Sequence, residues 1–269
     1  MVELPRLESK NGQVQLRSSS MSNTIDHSRA LQKTHEFFNK PRDRSRCSPR
    51  PIDKFAFDEI VRLIPEGSGD QTAMDLGCHW GRISTWLADS YGKVIGIDFA
   101  EKAIASAERR HNIEYFCLDL NTAPDRLSGF GPADLMVAVG LFEMIENPAA
   151  LCRQLAKVAK NSCKVLVVIP NRTSVNYLSF RSALWINRHL LRRSHYIHSN
   201  GYSIHQLAEC FIGAGFRVQA KGSVVGIPLY LGRLLPLALQ TTFLKLDRSF
   251  LNLLGGSYHW ICCQFEAKE

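Results

Sequence analysis

The sequence has no CxxC pair and no tight cysteine knuckle: its eight cysteines are scattered at positions 47, 78, 117, 152, 163, 210, 262 and 263. Such spacing offers neither a zinc ribbon nor a disulfide framework, and fits a reduced chain that uses cysteine as a small core residue. Carboxylates are absent from one long stretch. Between Asn147 and Ala208 there is no Asp or Glu, while nine Lys and Arg occur, among them Arg172, Arg181, Arg188, Arg192 and Arg193. The N-terminal MVELPRLESKNGQ lacks the apolar core of a signal peptide, so export is not expected and a cytoplasmic location is. An unbroken membrane span is missing too. From Gly222 to Leu244 only Arg233 is charged, but Pro228 and Pro236 interrupt the run, and an arginine near the bilayer centre costs about 3 kcal/mol. No internal repeat is present.

What is there suffices for one large domain. The 269 residues are 45% hydrophobic and 22% charged, which excludes a disordered chain, a collagen and a disulfide-stapled miniprotein. The net charge of +8 points to an anionic partner, and much of it lies in residues 1–50, where ten Lys and Arg face five Asp and Glu. Residues 1–26 read as a flexible polar arm and 27–269 as a single domain, with a helical cover over 27–66 and a lid or acceptor-binding insertion at about 171–200.

From Gly67 onward, short apolar runs alternate with amphipathic helices. TAMDL, KVIGI, IEYFCL, ADLMVAV, KVLVVI, FRVQAKGSV and SYHWICCQFEA read as strands; GRISTWLADSY, AEKAIASAERR, NPAALCRQLAKVAK and the segment following Ser203 read as helices. Asn147 and Ser203 stand at N-cap positions, with Pro148 at a first helical position. Strands apolar on both faces predict a doubly wound, mostly parallel seven-stranded α/β sheet, with helices on both faces.

In such a sheet ligands bind beyond the carboxyl ends of the strands. Three strand-to-helix turns carry a coherent signal there. Asp75-Leu76-Gly77-Cys78-His79-Trp80-Gly81 has glycines for close backbone approach and opens a helix whose N–H groups can meet an anion. Asp98 ends the second strand, where it can accept two ribose hydroxyls, with Phe99 beside it to cover a purine. Asp119 ends the third, where it can accept from an exocyclic amine. Taken singly, Asp98 and Asp119 are equally well solvated turn residues. A nicotinamide site would need Gly-x-Gly-x-x-Gly, and the frame here reads Gly77, His79, Arg82.

On these residues the chain resembles the class I S-adenosylmethionine-dependent methyltransferases, in their small-molecule (type 11/12-like) branch, from about His27 to the C-terminus. The first motif falls on Asp75, Gly77 and Gly81, with His79 where the family has its middle glycine. The acids of the second and third strands fall on Asp98 and Asp119. The resemblance implies a Rossmann-like methyltransferase fold and S-adenosylmethionine as co-substrate with no metal. It assigns cofactor binding to Asp75, Gly77, Cys78, Gly81, Asp98, Phe99, Asp119, Leu120 and Val139. Many small-molecule members carry a His after the Leu-Glu step that follows the fourth strand, and this chain has Met144. The alternative to an enzyme is a catalytically degenerate scaffold of the same fold.

For catalysis the candidates are His195, His198 and Glu143. The two histidines read first as solvated loop residues, next as an acceptor-site base or donor, and last as metal ligands, for which no further ligand lies nearby in sequence. Glu143 either faces the acceptor or braces the adjacent helix. The sequence lacks the Asn/Asp-Pro-Pro-Tyr/Phe tetrapeptide of amino methyltransferases acting on DNA bases, which favours a small-molecule acceptor. The arginines at 172–193 form a solvated face or bind an anionic acceptor, lipid headgroups or RNA, with no RNA-binding module to support the last. The apolar run after Gly222 beside them suits an ordinary cover on the sheet, or peripheral contact with an anionic membrane.

Overall fold

A computed structural model describes residues 36, 38–39, 51–174, 177–178, 181–182, 200–224, 236, 238–240 and 256–267. The polar arm, most of the expected insertion, His195, His198, Arg188, Arg192, Arg193 and most of the apolar run after Gly222 lie outside them.

Seven strands form one sheet in the order β3-β2-β1-β4-β5-β7-β6. They are β1 Thr72–Leu76, β2 Lys93–Asp98, β3 Ile113–Cys117, β4 Ala133–Val139, β5 Ala159–Pro170, β6 Phe216–Val224 and β7 Tyr258–Phe265. The first five pair in parallel, and β7 lies antiparallel between β5 and β6. The helices are α1 Pro51–Val61, α2 Arg82–Leu87, α3 Glu101–Ala105, α4 Pro148–Val158 and α5 Ile204–Gly213. The order reverses at β1, whose neighbours are β2 and β4, and this is the switch point where a doubly wound sheet opens a crevice.

Successive side chains of the central strands point to opposite faces and are buried on both. Met74, Leu76, Ile95, Ile97, Met136, Ala138, Val165 and Val167 pack with Leu151 and Leu155 of α4 and with Leu207 and Phe211 of α5. Their alternates Ala73, Val94, Leu135, Val137, Leu166 and Val168 pack on the other side with Ile60 and Val61 of α1 and with Leu87 of α2.

Caps fix where two helices start. Asn147 Oδ1 accepts from Ala150 N at 3.0 Å ahead of α4. Ser203 and Gln206 form a reciprocal capping box at α5, with Gln206 N donating to Ser203 Oγ at 3.2 Å and Ser203 N to Gln206 Oε1 at 2.9 Å.

Three helices are shorter than their sequence pattern predicts, each for a local reason. The stretch expected to be helical through Tyr91 stops at Leu87, because Asn112 Nδ2 donates to the carbonyls of Ala88 and Tyr91 at 2.9 and 3.0 Å and turns the chain into β2. α3 ends at Ala105, where Ser106 Oγ bonds back to Ala103 O at 2.8 Å. α4 passes directly into β5 at Ala159, five residues before the expected strand. There Ala159 pairs with Ala133, and Lys160 Nζ meets Asp134 Oδ2 at 2.6 Å. Residues Pro124–Phe130, left without an element by the sequence pattern, form a 3-10 segment that leads into β4. Among the described residues no helix is long and apolar enough to cross a membrane.

Candidate functional site

A cavity of about 270 Å³ opens at the carboxyl ends of β1 to β4. Its walls include Gly77, His79, Asp98, Phe99, Asp119 and Val139, which come from four separate strand ends. The turn after β1 is bound to the end of β2 by a shared carbonyl: Gly77 N and Cys78 N both donate to Ile97 O, at 2.8 and 3.0 Å. Gly77 takes a left-handed φ of 77°, and a Cβ on it would stand 3.3 Å from the Leu141 Cβ on the opposite wall. The glycine therefore keeps the cavity open between β1 and β4.

Asp98 is 8% exposed, yet its carboxylate reaches the cavity. Oδ2 accepts from the His79 N–H and Oδ1 from the Ala100 N–H, both at 2.8 Å. Two backbone donors hold a charged group rigidly, and each oxygen retains a lone pair for a further donor. A pair of adjacent hydroxyls suits that arrangement. Asp119 sits in an Asx turn, its Oδ1 accepting from Asn121 N at 2.9 Å. Asn121 then ties this turn to the loop after β4: its Nδ2 donates to Met144 O at 2.9 Å, and its Oδ1 accepts from Glu146 N at 2.8 Å.

Of the residues expected to hold a cofactor, Gly77, Asp98, Phe99, Asp119, Leu120 and Val139 line the cavity. Asp75, Cys78 and Gly81 stand behind its wall. The Asp75 carboxylate is 1% exposed and accepts from Ser84 Oγ at 2.6 Å, so it braces the start of α2. Desolvation pushes its pKa up to about 7, against the partial relief of the Ser84 hydrogen bond. Burial, with Asp75 and Asp98 nearby, pushes the Cys78 thiol far above its ordinary value. Gly81, at φ 75°, has the Tyr115 hydroxyl packed where a Cβ would project.

Glu143 lines the cavity and also a small crevice formed with Ile169, Pro170, Arg172, Tyr177, Gly201 and Tyr202. It thus stands between the strand ends and the segment that follows the insertion. That segment is fastened beside it: Asn200 N donates to Glu143 O at 2.6 Å, Asn200 Nδ2 to Ile145 O at 2.8 Å, and Tyr202 Oη to Glu146 O at 2.8 Å. Arg172 lies with its guanidinium 5.4 Å from the Tyr177 ring centroid. His195 and His198 fall outside the described residues.

Sequence reasoning missed Phe38, Asn121, Leu141 and Ile145 as wall residues. Asn121, two positions beyond a strand-ending acid, carried a readable Asx-turn signal. Phe38 falls in the expected helical cover, but nothing in its local pattern tells which surface its ring meets.

A family model described as "Methyltransferase domain" matches residues 49–221, well over half of the chain. A ubiquinone biosynthesis O-methyltransferase from Idiomarina loihiensis is 27% identical over 120 residues, 42% of this chain and 48% of that protein. The one from Bordetella pertussis is 30% identical over 127 residues, 45% and 52% of the two chains. The chain thus spans about half the length of these curated relatives. Among solved structures, an S-adenosylmethionine-dependent methyltransferase from Mesorhizobium loti shares the fold with a TM-score of 0.56 at 16% identity, covering 79% of this chain and 99% of that one. An N-methyltransferase from Bradyrhizobium japonicum, solved with S-adenosyl-L-homocysteine, gives 0.53 at 12% identity, covering 89% and 100%.

Proposed function

The chain belongs to the methyltransferase-domain family, within the class I S-adenosylmethionine-dependent superfamily, and from that membership we propose that it methylates a small-molecule acceptor. The observation that carries the proposal is the Asp98 carboxylate, held by two backbone N–H groups at the mouth of a cavity set at the switch point of the sheet. The residues present fit an adenosyl group: a fixed acid for paired hydroxyls, Phe99 beside it for a ring face, Asp119 for an exocyclic amine, and an apolar floor from Ile97, Leu118 and Val139. When bound, S-adenosylmethionine supplies an electrophilic methyl group that passes in line to the acceptor as the positive charge on sulfur is lost.

The protein's own contribution is alignment in a water-poor cleft and, where the acceptor needs it, removal of a proton. Glu143, on the wall common to the cavity and the crevice, is the described residue best placed to take a proton from an acceptor hydroxyl. Arg172, which lines the same crevice, suits an anionic group on the same acceptor. The curated relatives named as O-methyltransferases favour oxygen as the methylated atom.

Incubation with S-adenosylmethionine and a small-metabolite extract should accumulate S-adenosylhomocysteine, with a methylated product found by mass spectrometry. Binding of the donor with no turnover on any extract would instead support the degenerate scaffold.

A further inference from the structure

His79 occupies the position where the resembling motif has a glycine, and it does so in the glycine's own conformation. Its φ of 51° lies in the left-handed region, which L-residues with a Cβ seldom adopt. Most of what a glycine would do there, the His79 backbone still does: its N–H holds Asp98 Oδ2 at 2.8 Å. The side chain is the addition, and it lines the cavity. Trp80 Nε1 lies 3.2 Å from His79 Nε2. An indole N–H only donates, so Nε2 accepts and the ring proton is on Nδ1. The imidazole is thereby held in one orientation, with its centroid 5.1 Å from the neighbouring indole.

So placed, it meets a residue from far outside the strand ends. Phe38 stands edge-on to His79 at 6.0 Å and to Phe99 at 6.2 Å between centroids. Phe38 also lines the cavity, and the adjoining Asn39 Oδ1 accepts from Lys102 N at 3.0 Å, which ties this segment to α3. Phe38 precedes the span matched by the family model, residues 49–221. A glycine at 79 would remove one of the two rings, His79 and Phe99, that Phe38 packs against.

We propose that His79 is a donor-positioning residue that, with Phe38, forms an aromatic wall over the adenosyl-binding cleft, so that cofactor affinity depends on the N-terminal segment. The proposal builds on the donor site assigned above. Each ring contributes apolar area and edge-to-face contact, and the two act together because either alone leaves the wall open.

Calorimetric titration of the full chain with S-adenosylhomocysteine tests it, using His79→Gly, His79→Asn, Phe38→Ala and the Asn/Ala double variant. Asn tolerates the left-handed turn and can still accept from Trp80, but it has no ring. His79→Asn and Phe38→Ala should each weaken binding about five-fold or more, with the double variant within about two-fold of the weaker single one. His79→Gly should weaken binding equally while its ligand-free melting temperature stays at or above that of the wild type. Wild-type affinity in His79→Asn, or fully multiplicative losses in the double variant, overturns the wall. Absence of binding by the wild type overturns the donor site itself, and the two failures are therefore distinct.

Discussion

Asp98 shows how one side chain serves both fold and site. Its oxygens tie the turn after β1 to the start of α3 while remaining in the cavity wall. Asp98→Ala should weaken S-adenosylhomocysteine binding by about 2 kcal/mol or more, the usual loss for charge-assisted hydrogen bonds, as read by calorimetry. Asp75, one strand away, has the opposite character: it is buried and bonded to Ser84, and its pKa is raised from 3.8 to about 7. Below the ordinary value both folded and unfolded states carry the proton, and burial costs nothing. As pH rises from 3.8 through about 7 the unfolded chain ionises first, so this group's contribution to stability is lost over that window and stays lost above it. In thermal melts without ligand, Asp75→Asn should flatten the wild type's decline across that window. It should be at least as stable as the wild type above neutral pH. A parallel slope in both proteins would mean that Asp75 is ionised in the folded state.

At the scale of elements, capping and strand bounds were the most legible features. ADLMVAV and FRVQAKGSV become β4 and β6 with the bounds their apolar pattern suggests, and Asn147 and Ser203 cap the helices they precede. Ser203→Ala removes one half of a capping box at the start of α5 and should cost about 1 kcal/mol, seen as a lowered melting temperature with cofactor affinity unchanged. What was not legible depended on residues distant in sequence. α2 is cut short by Asn112, and β5 is lengthened by pairing of Ala159 with Ala133 and of Lys160 with Asp134. The turn glycines were readable as glycines, but the reason Gly81 admits no side chain is Tyr115 of β3, packed against the place its Cβ would take. Gly81→Ala combines that clash with a left-handed φ of 75° and should destabilise the fold by about 2 kcal/mol or more, a loss that urea unfolding would register.

For the molecule as a whole, the order of strands brings Gly77, Asp98, Phe99, Asp119, Leu120 and Val139 together at the carboxyl ends of β1 to β4. Gly77, Asp98 and Asp119 stood out in the sequence as a glycine and acids in strand-to-helix turns, whereas Leu120 and Val139 followed only from the resemblance. The acceptor side was legible only as charge. Arg172 is seen at the crevice beside Glu143, whereas Arg192 and Arg193 lie outside the described residues. If the acceptor is amphiphilic, the protein should co-sediment with anionic liposomes in a salt-sensitive way, and changing Arg192 and Arg193 together to Ala should weaken that association. Equal co-sedimentation with neutral liposomes at low salt points instead to a soluble metabolite. The most direct test of the donor site needs no acceptor at all: calorimetric titration of the folded full-length chain with S-adenosylmethionine and with S-adenosylhomocysteine. Saturable binding at one site per chain, micromolar or tighter and weakened by about 2 kcal/mol or more in Asp98→Ala, is the predicted result. No binding of either ligand, by protein whose circular dichroism shows it folded, would contradict it.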